Sequence, residues 1–433
     1  MKIALIVPQV SILDEKKLEE YRWSEMQEFK ARERLWSCMH LGLLTVAAMI
    51  PEKHEITYID LNYKDMPLQN KFDMAFLSPT TPQAYSAYEI ADVLRKKGTK
   101  IVFGGVHTTL LPNEAKKHAD VIFIGESEET MPEFWSDLES GRLKTEYRSS
   151  NNIDLSKSPV PRYELAKDYP YKTIPIQTSR GCPHQCEFCV SSEIYGKRCR
   201  RKKVEQIEAE IKKITSIWKN PYIFFTDDNM FINDRKAIEI LSMLKKYHLS
   251  WYAFTDAHIA FKNNILRNMK EAGCRQLLIG FESLDEDNLL QINKSGWKRE
   301  KKTYYNQIIN RIQSYGIGVV GSFMLGFEND TEVTFQQIYD FIYNTDLFAT
   351  NVTILTPFPG TKLYKRYQEA NLLLTQNWNK YNGFELTFYP NKMSPFEFES
   401  NFVELYKKIN SDERINRMLM NFKNKFLQQE INN

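Results

Sequence analysis

Cys182, Cys186 and Cys189 fall within the stretch TSRGCPHQCEFCV, which runs from Thr178 to Val190. Three thiolates this close can share one metal centre. Soft sulfur ligands suit zinc or iron–sulfur chemistry, and a set of three leaves one coordination position without a protein ligand. That open position is where chemistry can occur. A structural zinc site with its fourth ligand elsewhere, at His184 or Cys199, uses the same donors and stays open at this point.

Around this stretch, strand-like apolar runs alternate with helical patterns. Strands are expected at 173–177, 222–225, 251–255, 276–281, 319–325 and 351–355. Between the first two, Val204, Ile207, Ile211, Ile214 and Trp218 share one helical face. Six such units make a parallel α/β barrel, and the cysteines follow its first strand, at the end where barrels carry their active-site loops. Beyond Pro390 the strand pattern stops. The chain from Pro395 to Gln429 reads as helical, with Phe396, Phe402, Leu405, Tyr406, Ile409, Ile415 and Leu419 as a buried stripe. This cap is expected to close the barrel mouth.

The first third repeats the alternation. Strands are expected at 3–7, 56–61, 74–77, 101–103 and 121–124, with helices at 41–50, 82–97, 112–118 and 128–138. This is a doubly wound, Rossmann-like sheet. Such sheets bind ligands at the carboxyl ends of their strands, which puts Pro8, Ser78, Thr80, Thr81, Gly104, Gly105, Gly125 and Glu126 on one rim. No G-x-G-x-x-G follows the first strand, which argues against a dinucleotide. Ser11 to Ser37 is dense in charge and lengthens the first crossover, and it reads as a solvated helix leaving from the rim. The boundaries are a first domain over 1–140, a linker over 141–170, a barrel over 171–390 and a helical cap over 391–433.

With 433 residues, 58 basic and 55 acidic side chains, the net charge is +3. That gives no global electrostatic case for nucleic acid. No apolar run approaches the length of a bilayer span, and the opening MKIALIVPQV reads as a strand rather than a leader, so the cytoplasm is the expected location. Cys38, Cys199 and Cys274 lie far apart and suggest no disulfide framework. The dense basic run Lys197, Arg198, Arg200, Arg201, Lys202 and Lys203 reads as a solvated helix start. It is alternatively a docking point for an acidic substrate, cofactor carboxylates or a low-potential donor such as flavodoxin or ferredoxin.

Cys-x3-Cys-x-Phe-Cys, placed after the first barrel strand, resembles the signature of the radical S-adenosylmethionine (SAM) enzymes. Gly104 to Thr130, GGVHTTLLPNEAKKHADVIFIGESEET, together with SPTTPQAYSAYEIADVLRK from Ser78 and HLGLL from His40, resembles the cobalamin-binding domain found upstream of some of those barrels. The resemblance covers most of the chain and extends to the class B radical SAM methyltransferases. It implies a partial (β/α)6 barrel, and a [4Fe–4S] cluster on the three cysteines with SAM on the open iron. It further implies cobalamin held by Pro8, Ser78, Thr80, Thr81, Gly104, Gly105, Val106, His107, Thr108, Gly125 and Glu126. The D-x-H-x-x-G motif is absent, so cobalt has no histidine assigned by motif. His107 is a candidate for its lower face, with a turn or cap role as the other reading. The resemblance assigns SAM contacts to Phe188, to Glu282 and Ser283 in GFES, and to Met324, Gly326 and Phe327 in GSFMLGFEND. Asp227 and Asp228 stand where relatives carry Gly-Gly-Glu for the SAM amino group. The implied activity is methylation of an unactivated carbon of a small metabolite, lipid or peptide. Ring formation, oxidation or rearrangement is the alternative, and a non-catalytic cobalamin or metal sensor a further one. Methylthiotransfer needs cluster cysteines in the first domain, where only Cys38 is found.

Overall fold

A computed structural model describes residues 1–10, 38–67, 70–150, 153–293 and 296–420. The charged segment 11–37 and the end of the expected cap, 421–433, lie outside the described residues.

Two six-stranded parallel sheets form the core. The first runs in the order β2-β1-β3-β4-β5-β6, with β1 Lys2–Val7, β2 Glu55–Asp60, β3 Met74–Leu77, β4 Lys100–Phe103, β5 Val121–Ile124 and β6 Glu146–Arg148. The strand residues Ile3–Ile6, Met74–Leu77 and Ile101–Phe103 are buried, as runs of Ile, Val, Leu and Phe must be when helices cover both faces of a sheet. The order reverses beside β1, between β1 and β3, and this switch point opens a crevice at the strand ends.

The second sheet runs β14-β13-β12-β11-β10-β7, with β7 Ile174–Ile176, β10 Tyr222–Phe225, β11 Ser250–Thr255, β12 Cys274–Glu282, β13 Gly318–Leu325 and β14 Ala349–Ile354. Among the described residues it does not close, since β14 pairs only with β13 and β7 only with β10. A two-stranded ribbon of β8 Ser179–Arg180 and β9 Arg200–Arg201 flanks the cysteine loop.

Three expectations change. Residues 141–170 are not a free linker. Glu146–Arg148 adds a sixth strand beside β5, and Tyr163 and Tyr169 are buried, with the Tyr163 hydroxyl donating to Pro175 O at 3.0 Å. The basic run is not a solvated helix start, because Arg200 and Lys202 are buried in ion pairs. The C-terminal helix Pro395–Ile409 does not cap the mouth. It packs along the outer helix Glu332–Asn344, with Phe398 edge-on to Phe335 at 5.3 Å. Phe398, Phe402, Leu405, Tyr406 and Ile409 form its buried stripe, while Phe396 and Leu419 are exposed. Among the described residues no helix is long and apolar enough to cross a membrane.

Candidate active site between the two sheets

The cysteine loop leaves β8 and is held from four directions. Asp227, at the end of β10, is fully buried and accepts from Thr178 N at 3.0 Å, Thr178 Oγ1 at 2.7 Å and Ser179 Oγ. Asp256, after β11, accepts from His184 Nε2 at 2.9 Å and Asn229 Nδ2 at 2.7 Å. Asn293 Nδ2 donates to His184 O at 2.5 Å. Glu187, between the second and third cysteines, pairs with Arg366 at 2.7 Å. Gly181, just before Cys182, has φ +94°, and a Cβ there would stand 2.5 Å from Arg198 O. Only glycine lets the ribbon turn so tightly into the first cysteine.

Cys182, Cys186 and Cys189 are free and half-buried. Burial pushes their thiols up, to about 11 for Cys182 and about 12 for Cys186, so bound metal must supply what stabilises the thiolates. Among the described residues no three His, Cys, Asp or Glu side chains converge on a single metal ion.

A cavity of about 1300 Å³ lies beside this loop, above the ends of the first sheet. It exceeds the ~300–1,000 Å³ of an ordinary small-ligand pocket. The first sheet contributes Ser78, Thr80, Gly104, Gly105, Val106, Gly125 and Glu126, and the second contributes Gln177, Arg180, Tyr195, Thr226 and Asp228. Gly105 has φ +81°, and a Cβ on it would collide with Ser78 Oγ at 2.1 Å, so the floor stays low enough for a broad ligand.

Other expected residues face elsewhere. His107 is fully buried behind the rim, with Nε2 3.0 Å from the Tyr88 hydroxyl and Nδ1 3.4 Å from Thr81 Oγ1, and it does not line the cavity. It is therefore no ligand to a metal in that space. Thr81 and Thr108 are buried on the same side, and Pro8 is buried with its carbonyl accepting from Gln83 Nε2 at 2.7 Å. Asp227 holds the cysteine loop and does not reach the cavity, whereas Asp228 does, and burial raises its carboxyl. Ser283 is buried, and its Oγ accepts from Asp285 N at 3.0 Å. The amides of Gly326 and Phe327 donate to Asp330 at 2.8 and 3.0 Å, and Phe327 is buried. Phe188, Glu282 and Met324 remain partly accessible. Glu282, at φ +69°, accepts from Lys298 Nζ at 3.0 Å.

The strongest polar feature here escaped sequence reading. Arg180 donates to Glu126 at 2.6 Å and to Glu128 at 2.7 Å, and Arg200 pairs with Glu126 at 2.7 Å. Burial alone would raise the Glu128 carboxyl, but Arg180 beside it holds it below the usual range. This network joins the first sheet's rim to the cysteine loop.

The B12 binding domain model matches residues 36–134, and the Radical SAM superfamily model matches residues 176–342. An uncharacterised methyltransferase of Pyrococcus horikoshii is 30% identical over 380 residues, covering 80% of this chain and 82% of that protein. The chain belongs to the cobalamin-binding radical SAM family. A further relative is the bacteriochlorophyllide d C-8(2)-methyltransferase of Chlorobaculum tepidum, 29% identical over 385 residues, covering 86% of this chain and 85% of that protein. The fold of this radical SAM enzyme is shared with the cobalamin-dependent S-adenosylmethionine radical enzyme OxsB, at a TM-score of 0.71 and 14% identity over 98% of this chain and 70% of that one. Its cofactors are a [4Fe–4S] cluster, SAM and cobalamin. The residues present fit them, with three free thiols on one braced loop and a broad glycine-floored cavity within reach of it.

Proposed function

We propose that this enzyme methylates an unactivated carbon of a small molecule, with Cys182, Cys186 and Cys189 holding the cluster and the rim Ser78, Thr80, Gly104, Gly105, Val106, Gly125 and Glu126 holding cobalamin. The observation that carries the reading is that one cavity is walled by both the rim and the flank of the cysteine loop. Bound there, the cluster would supply the one-electron reduction that activates SAM, and cobalamin would supply the methyl group.

The chain's own residues position these groups and keep water out. Asp227 and Asp256 fix the loop that carries the thiols. Asp228, at the cavity edge beside that loop, is the carboxyl for the SAM amino group, and Glu282, Phe188 and Met324 complete the SAM surroundings. The Arg180 network sets the spacing between the two halves of the cavity. The reductant is a low-potential donor of the flavodoxin or ferredoxin type, in the cytoplasm. That the named relative from Chlorobaculum tepidum is a methyltransferase supports methyl transfer over ring formation, oxidation or rearrangement.

The test is to incubate the anaerobically reconstituted enzyme with SAM carrying a deuterated methyl group, a low-potential reductant and an extract of its own cells. Intact transfer of the deuterated methyl to carbon of an extract metabolite is the expected result. Formation of 5′-deoxyadenosine with an altered but unlabelled metabolite would contradict methyl transfer and favour the alternative outcomes.

A further inference from the structure

The outer layer of the second sheet carries a local excess of positive charge. Residues 257–270 contain Lys262, Arg267 and Lys270 and no acidic residue, and residues 297–317 contain five basic residues against Glu300 alone. The whole chain, with 58 basic and 55 acidic side chains, is close to balance. Part of the excess is neutralised within the fold, since Asp234 pairs with Lys262, Glu282 with Lys298, and Glu286 with both Arg299 and Lys302.

Arg267, Lys301 and Arg311 have no carboxylate partner among the described residues. Arg311 instead donates to the neutral Asn263 Oδ1 at 2.5 Å, and Lys301 Nζ stands 5.1 Å over the ring of Phe261. Asn263 and Arg267 are four residues apart on the helix Asn263–Glu271 and share a face, which gathers the three cations on one surface. Glu271 pairs with Lys245. Glu300 is then the one acidic residue without a cationic partner, among the described residues, on the helices Asn263–Glu271, Trp297–Lys302 and Tyr305–Ser314.

Two aromatic rings stand out of the same surface. Phe261 is 50% exposed and Tyr304 43%, with ring centroids 6.5 Å apart and planes at 88°. A single exposed apolar side chain is ordinary, but a contacting pair bordered by unpaired cations marks an interaction surface. It lies at the cysteine end of the sheet. The turn Ala257–Phe261 leaves the carboxyl end of β11, the end at which the parallel strand β7 leads toward the cysteine loop. The Trp297 ring is 4.5 Å from His184 in that loop and 5.1 Å from His258 in the turn, so the patch forms the outer shoulder of the site.

Aromatic rings beside Lys and Arg settle at the boundary between lipid headgroups and acyl chains, and the cations are drawn to anionic headgroups. Single-stranded nucleic acid calls for a free ring face on which a base can stack. Here the Lys301 ammonium occupies a face of Phe261 and Tyr304 meets that ring at right angles, so the pair offers no flat platform.

We propose that Phe261 and Tyr304, with Arg267, Lys301 and Arg311, dock the enzyme reversibly on an anionic lipid bilayer, with the cysteine end of the barrel turned toward the membrane surface. Two rings and three cations insert far less apolar surface than a spanning helix, so the attachment is peripheral and sensitive to salt. It does not depend on which reaction the site performs.

The full chain loaded with cluster and cobalamin is mixed with phosphatidylcholine vesicles containing about a third phosphatidylglycerol, and separately with phosphatidylcholine vesicles alone, and the bound share is read by flotation. Binding to the anionic vesicles is expected at low salt, about tenfold or more weaker to the neutral ones and lost at about 1 M salt. Phe261→Ser with Tyr304→Ser should lower the partition about fivefold or more, and Arg267→Gln, Lys301→Gln and Arg311→Gln combined should do the same. None of these side chains is buried, and unchanged cobalamin loading and melting temperature report that the variants fold. Absence of binding to the anionic vesicles, equal binding to neutral and anionic ones, binding that either set of substitutions leaves unaltered, or preferential capture by a transfer RNA competitor would overturn the proposal.

Discussion

Arg180 Nη1 lies 2.6 Å from Glu126 Oε1, so the residue two positions before Cys182 is tied to the rim of the B12 binding domain. Arg180 Nε donates to Gln177 at 2.7 Å, and its other terminal nitrogen reaches Glu128 at 2.7 Å. The guanidinium thus serves as a rigid fork whose prongs end on the other domain. Its side chain is 11% exposed and that of Glu126 4%, so the pairs are screened little by solvent.

Removing one partner from this network strands a buried charge. Glu126→Gln leaves Arg180 and Arg200 each short of a carboxylate oxygen and is expected to cost about 3–5 kcal/mol, read from the denaturant midpoint. Arg180→Lys keeps the charge and loses the fork. It is expected to lower cobalamin retention at unchanged iron content, because only the link to the rim is loosened.

Asp227 is predicted to govern cluster loading. Asn at this position would set an amide N–H against the donors Thr178 N, Thr178 Oγ1 and Ser179 Oγ, a loss of about 2–3 kcal/mol at a fully buried site. Iron and sulfide bound after anaerobic reconstitution should fall, with cobalamin binding retained. Asp228→Asn should instead load iron normally and weaken SAM binding, read by equilibrium dialysis of labelled SAM.

His107 tests the cavity's chemistry from the opposite side. His107→Ala should leave the visible spectrum of bound cobalamin unchanged, since the ring faces Tyr88, Thr81 and Glu114 behind the rim. Stability should fall by about 2 kcal/mol through the lost buried hydrogen bonds.

Asp330 predicts a pH dependence. Burial raises its carboxyl to about 6, against the amides of Gly326 and Phe327, which favour the charged form. The ordinary value is near ~3.9. A carboxyl whose folded value is raised binds its proton more tightly when folded. Its contribution to stability is therefore full below about pH 4 and is lost as pH rises through about 6. Denaturant midpoints should show this fall between about pH 4 and 7, and Asp330→Asn should flatten it.

Much of the scaffold was legible because burial on both faces forces continuous apolar runs. β3 Met74–Leu77, β5 Val121–Ile124 and β10 Tyr222–Phe225 stand where those runs predicted them. β6 escaped because Glu146–Arg148 is a three-residue edge strand with only Tyr147 buried, too short to show a period. The helix Gly105–Leu110 escaped because two glycines and two threonines in and before it are poor helix formers, held there by packing on β5. At the site, cysteine spacing carried its own signal. The carboxylate partners of Arg180 and Arg200, and the Thr178 and Ser179 donors to Asp227, did not, since each lies about 50 residues or more away along the chain and only the fold brings them together. A basic run next to the cysteines looked solvated for that reason, although two of its members neutralise buried carboxylates.

The most direct test of a cluster and a cobalamin working at one interface is SAM cleavage by the chain reconstituted without oxygen, compared with its Cys182→Ala, Cys186→Ala and Cys189→Ala variants. The spectrum should show iron–sulfur and cobalamin absorption together, and a low-potential reductant should yield 5′-deoxyadenosine. Each cysteine variant should lose that product and keep cobalamin. Cleavage that persists in the variants, or a wild-type chain that takes up cobalamin but no cluster, would contradict the account.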